Sequence, residues 1–138
     1  MTTTVEPRRT GPADRLDTLL VLGVMLADVA LLALLELMFV TLRVGGGPVP
    51  VSSLVALVST PWLVRRTGDL PTGTLGAVLV LAIWAVVVSV LGFAGPGGDV
   101  LLPDDWPSVL LVAAGLFPGA LALGRVIRTR RAVRGALN

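Results

Sequence analysis

Two carboxylates stand inside one long apolar stretch, Asp28 and Glu36 between Leu16 and Leu42. Their eight-residue separation would place them ~12 Å apart along a helix and ~80° apart around it. Arg43 follows nearly on the face of Glu36. Because a charged carboxylate in hydrocarbon costs about 3 kcal/mol, such a group binds a partner or a cation, or takes up a proton.

Each acid has a functional and a structural interpretation. Asp28 would lie in a partner interface or on an ion path, or would be a hydrogen-bonded residue that fixes helix packing. Glu36 would act with it, or would pair with Arg43 near the outer surface. The indole N–H of Trp84, or the carbonyls freed by Pro118, are predicted to lie level with Asp28. Three serines are predicted near the depth of Glu36: Ser52, Ser53 and Ser89.

The chain contains no cysteine, histidine, lysine or tyrosine. Disulfides, thiolate or histidine metal ligands, Schiff-base chemistry and histidine-dependent triads are therefore excluded. No nucleophile–base pair or metal cluster stands out, so we predict a non-enzyme without metal or cofactor. Basic patches interleaved with aromatic residues are also missing, which argues against a nucleic-acid partner.

Hydrophobic residues make up 54% of the 138-residue chain and charged residues only 14%. The apolar residues fall into four blocks, which is typical of an all-α polytopic membrane protein with four transmembrane helices in one domain. The second block is short for a bilayer crossing. The predicted helices cover residues 16–42, 49–64, 74–94 and 108–127, between a disordered cytoplasmic tail, 1–15, and a basic cytoplasmic tail, 128–138.

The arginines predict the orientation of these helices. Ten of the eleven lie in the two tails and the second connection, whereas the first and third connections carry only Arg43. Positive residues stay on the cytoplasmic side, so both termini are expected there, in a multi-pass protein of the bacterial inner (plasma) membrane. The arginine tail is expected to contact anionic lipid.

Two further motifs have structural interpretations. Gly115 and Gly119, which flank Pro118, give the fourth helix a small-residue face, and we expect it to pack closely within the chain rather than in an oligomer. The third connection carries Asp99, Asp104 and Asp105. Their spacing matches no calcium loop, so solvated turns and a helix cap are preferred over a cation site.

The stretches GGGPVPVSSL (Gly45 to Leu54) and GFAGPGGDVLL (Gly92 to Leu102) resemble small actinobacterial four-helix integral membrane proteins of unknown function. This resemblance implies a four-helix bundle and no particular activity. Small multidrug exporters also have four helices and an acid in the first one. The chain lacks their aromatic-lined pocket, and its charge bias opposes their antiparallel dimers.

The charged stripe of the first helix, with Asp28, Glu36 and Arg43, predicts an accessory or assembly subunit of a larger membrane complex. A four-helix monomer can hardly enclose that stripe, so another membrane protein is the expected partner. The alternative is a small proton- or cation-coupled carrier that acts as a homo-oligomer through Asp28 and Glu36.

Overall fold

The computed structural model describes residues 12–40, 42–44, 47–94, 102 and 106–136. These residues form four helices and two short strands. The helices are α1 (Pro12–Phe39), α2 (Val51–Gly68), α3 (Thr74–Phe93) and α4 (Trp106–Ala136). Between α1 and α2, the short antiparallel strands β1 (Arg43–Val44) and β2 (Gly47–Pro48) pair, with Arg43 opposite Pro48.

Several helix ends differ from the predicted ones. The first helix begins at Pro12, because proline suits the first helical turn, and it ends at Phe39, before the hairpin. The second continues past Pro61 to Gly68. The fourth runs on to Ala136, since its arginines and alanines are good helix formers and nothing interrupts them. Residues 12–15 and 128–136 are therefore helical rather than parts of tails.

The first and third helices run parallel to each other. Leu22, near the start of α1, lies beside Gly76 at the start of α3. Further along both helices, Glu36 of α1 bonds to Trp84 of α3. Contacts therefore advance in the same direction on the two helices.

The second and fourth helices are also parallel. Thr60 of α2 meets Gly119 of α4, and further along, Gly68 meets Val126. Helix α1 packs on α3 and α2, while α4 packs on α2 and α3. The four helices thus form an up-down-up-down bundle.

Three of the helices, α1, α3 and α4, are long and apolar enough to cross a membrane. Much of their apolar surface faces outward, as at Val24, Val86 and Phe117. Outward-facing apolar side chains are expected where the surrounding solvent is lipid. Helix α2 is shorter and carries Arg65 and Arg66 in its last turn.

We call the end of the bundle where α2 ends and the arginines of α4 lie the basic end. One arginine there, Arg130, links two segments of the chain. Nη2 of Arg130 donates to the carbonyl oxygens of Gly68 and Leu70, each at 2.8 Å. The turn also needs Gly73, which has φ +58° and so little space that a Cβ would overlap the Arg130 guanidinium. Arg130 thus joins the α2–α3 turn to α4.

Candidate functional site

A buried carboxylate lies where α1, α2 and α3 meet. Glu36 is only 2% exposed. Its Oε2 accepts a hydrogen bond of 2.8 Å from Nε1 of Trp84, and its Oε1 accepts one of 3.2 Å from Oγ of Ser59. A buried acid with a donor on each oxygen is a stable arrangement, and it ties three helices together.

The indole of Trp84 packs against α4 at Gly115, where the missing side chain leaves room for the ring. Trp84 is 2% exposed, and a Cβ added to Gly115 would overlap its ring. One turn on, a Cβ at Gly119 would come within 2.6 Å of Leu81 Cδ1 and 3.1 Å of Thr60 Cγ2. The two glycines therefore form a recess on α4 that accommodates side chains of α3 and α2.

Pro118 stands between these two glycines and is half-buried. Helix α4 continues on both sides of it, from Trp106 to Ala136. The small-residue face that surrounds the proline packs within the chain, against α3 and α2.

The predicted ion pair between Glu36 and Arg43 is wrong. Arg43 lies in β1 and is exposed, and no ion pair links it to Glu36 within the described part of the chain. The seven-residue spacing would bring the two side chains to one face only if the helix continued to residue 43. Because α1 ends at Phe39, the helical spacing no longer applies.

The prediction that the indole N–H of Trp84 lies level with Asp28 is also wrong. The indole N–H goes to Glu36. Counting residues along each apolar span does not give the shift between α1 and α3, and the structure places the end of α1 against the middle of α3. Glu36 therefore meets Trp84, which lies at the centre of α3.

Asp28 lies on the outside of the bundle. Along α1 it stands between Leu22, which contacts Gly76, and Glu36, which bonds to Trp84, so it is level with the apolar span of α3. It forms no hydrogen bond or ion pair with any residue that the structure describes. The charged stripe of the first helix is thus divided, with Glu36 inside and Asp28 outside.

Ser59, which donates to Glu36, is a site residue that the sequence analysis does not predict. The predicted serines behave differently: Ser52 and Ser53 are buried without a hydrogen-bond partner among the described residues, and Ser89 is exposed. The relative shift of α1 and α2 places Glu36 opposite Ser59, and the helix ends alone do not predict this shift. The acids Asp99, Asp104 and Asp105 lie outside the described residues.

The arrangement at Glu36 can hold a proton or fix a helix contact. The Ser59 hydroxyl donates to the carboxylate, but Glu36 is enclosed, so the pair is not open to a substrate. Within the described ranges, no group of three potential metal ligands comes together. The interior site at Glu36 is therefore suited to hold the helices together through hydrogen bonds. Asp28, by contrast, offers its carboxylate oxygens as acceptors on the exterior of the bundle.

No family model matches the chain, and searches of curated proteins and of solved structures find no match either. The resemblance to small four-helix membrane proteins stays a prediction.

Proposed function

We propose that the protein is a non-enzymatic accessory or assembly subunit of a larger complex in the bacterial inner (plasma) membrane. The observation that carries this proposal is the outward position of Asp28 among exposed apolar residues of α1. We call this surface the Asp28 face; it consists of Val24, Asp28, Leu31 and Leu35. A charged carboxylate on a lipid-facing surface costs about 3 kcal/mol, which a partner that supplies a donor or a cation would offset.

Four membrane crossings with both termini in the cytoplasm form part of the proposal. Contacts of α2 with α4 at Thr60 and Gly68 support the second crossing, because they place α2 level with the span of α4. The orientation is supported by the arginines at the basic end, which include Arg65, Arg66 and Arg125.

The partner we propose differs from this chain. No lysine, arginine or histidine occurs from residue 16 to 42, from 49 to 64, from 74 to 94 or from 106 to 124. A second copy could therefore not offer Asp28 a cation within its own apolar spans. A foreign transmembrane helix with an arginine or lysine at that level would pair with Asp28 and offset the cost of its charge.

Glu36 has a different part in this proposal. Its two oxygens already accept hydrogen bonds from Trp84 and Ser59, so it is assigned to the interior of the bundle. It would keep α1 at a fixed rotation, and this rotation is what directs Asp28 outward. The interface is thus narrower than the whole charged stripe of the first helix.

Site-specific photo-crosslinking in native membranes tests the proposal. A photoreactive residue at Val24 is expected to capture a foreign membrane protein, whereas one at Phe117 on α4 is not. The control is matched, because these side chains are 69% and 71% exposed. Asp28→Asn should abolish or strongly reduce the Val24 product while the protein accumulates normally.

Two results would contradict an accessory role. Equal crosslinking of one foreign protein from Val24 and Phe117 would remove the Asp28 face as the interface. A pure homo-oligomer, with proton- or cation-coupled flux that Asp28→Asn abolishes without loss of assembly, would establish the carrier instead.

A further inference from the structure

A concave surface at the basic end is lined by arginines and hydroxyl groups. It lies between the start of α3 and the last turns of α4, and its volume is about 800 Å³. We call it the arginine cleft, and its polar lining consists of Thr72, Thr74, Thr129, Arg130, Arg131 and Arg134.

Every charged side chain that lines the arginine cleft is basic. The neighbouring cleft between α2 and α4 also contains arginines, but Asp69 is among its lining residues. Arg134 lies one helical turn beyond Arg130 and Arg131, at i+4 and i+3, so the three side chains line the same cleft. This local concentration of positive charge favours a ligand with a compact negative charge.

Two of the three arginines are free to bind such a ligand. Arg130 is held by the carbonyl oxygens of Gly68 and Leu70. Arg131 and Arg134 are exposed and form no hydrogen bond or ion pair with the part of the chain that the structure describes. Guanidinium groups bind phosphate through paired N–H donors, so the two side chains suit a phosphate oxyanion.

The length of α4 brings the cleft to the level of lipid headgroups. Its 31 residues span ~46 Å, which exceeds the ~30 Å of a hydrocarbon core. The first arginine of α4 is Arg125, so the final turns project beyond the apolar part. At the same end of the bundle, exposed Trp62 has Arg66 5.5 Å from its ring centroid, as expected at a membrane interface.

We propose that the arginine cleft is a binding site for the phosphate headgroup of an anionic phospholipid, with Arg131 and Arg134 as the binding residues. This site rests on the proposed membrane placement of the bundle but not on the Asp28 face or on any partner protein. It differs from a general attraction of the basic tail to lipid, because binding is assigned to one face of α4.

Lipid titration of the full-length protein in a neutral detergent tests this assignment. Short-chain phosphatidylglycerol is added, retained lipid is counted by native mass spectrometry, and short-chain phosphatidylcholine serves as the zwitterionic reference. The double variant R131Q/R134Q should bind phosphatidylglycerol about 25-fold more weakly, since one basic residue at an anionic surface contributes about fivefold. The control R15Q/R128Q loses the same charge at exposed positions that do not line either cleft, and it should bind like the unaltered protein.

The outcomes separate a defined site from diffuse charge attraction. Preferential retention of phosphatidylglycerol that only R131Q/R134Q weakens would establish the cleft as the site. Equal losses in the two double variants would overturn the proposal in favour of diffuse attraction. Competition by inorganic phosphate at the same concentration would overturn the lipid assignment, and equal retention of phosphatidylcholine would do the same. None of these results depends on Asp28, so the accessory role would be judged separately.

Discussion

Glu36 and Asp28 are the same kind of group on the same helix, yet α1 places them in opposite surroundings. Glu36 is enclosed at the junction of three helices and accepts hydrogen bonds from Trp84 and Ser59. Asp28 is two turns away, exposed, and without a partner among the described residues. The rotation of ~80° between them is sufficient to divide an interior position from an exterior one.

Two acids on one apolar helix therefore need not act together. The bundle stabilises Glu36 internally, so that residue requires nothing from outside the chain. Asp28 has no such partner among the described residues, so in the proposed interface another group would offset its charge. Variants that disturb one position and leave the other unaffected will test whether the two are independent.

The largest effect is expected from Gly115→Val. The new side chain would overlap the indole of Trp84, displacing it from Glu36 as well as from α4. Overpacking combined with loss of a buried hydrogen bond should reduce the free energy of unfolding by about 3 kcal/mol. Thermal unfolding in detergent, followed by circular dichroism, measures the change.

Gly124→Val provides the matched control for that prediction. Gly124 lies on the same helix, and no atom of the described residues surrounds the position of its missing Cβ within 4 Å. Its unfolding free energy should stay within about 0.5 kcal/mol of the original value. Similar destabilisation by both substitutions would show that α4 simply tolerates no β-branched residue, and the recess for Trp84 would lose its support.

A smaller loss is expected from Trp84→Phe, which keeps an aromatic ring but removes the N–H donor. Oε2 of Glu36 would then be buried without its hydrogen bond, at a cost of about 2 kcal/mol. Ser59→Ala should cost less, about 1 kcal/mol, because its bond is longer at 3.2 Å. Trp62→Phe is the control, since Trp62 is exposed, and its midpoint of thermal unfolding should not fall.

The main features of the fold could be predicted because they depend on long runs of one residue character. Apolar blocks and glycine-rich breaks are sufficient to predict four helices, and the start of α3 at Thr74 agrees with the predicted one. Helix ends depend on finer signals. Nothing in the arginine-rich segment stops α4, and the hairpin of β1 and β2 shortens α1 at its second end. A hydropathy pattern does not record either feature.

The site was less predictable, because it depends on how the helices are rotated and shifted against one another. The sequence does not indicate that Trp84 contacts both Glu36 and Gly115, although each of the three residues stands out in it. Helical spacing gives the angle between Asp28 and Glu36, not which of them points inward. In the structure Glu36 points inward to Trp84, whose ring packs against Gly115.

The smallest effect on stability, and the most informative, is expected from Asp28→Leu. A leucine would extend the exposed apolar surface of α1 and would break no hydrogen bond within the described residues. The unfolding free energy of the isolated protein should therefore change by less than about 0.5 kcal/mol, in contrast to the loss in Trp84→Phe. Thermal unfolding of purified Asp28→Leu measures this. Destabilisation as large as that of Trp84→Phe would mean that the bundle itself uses Asp28. An unchanged midpoint would show that the fold has no need of this carboxylate, which would leave Asp28 available to a partner outside the chain.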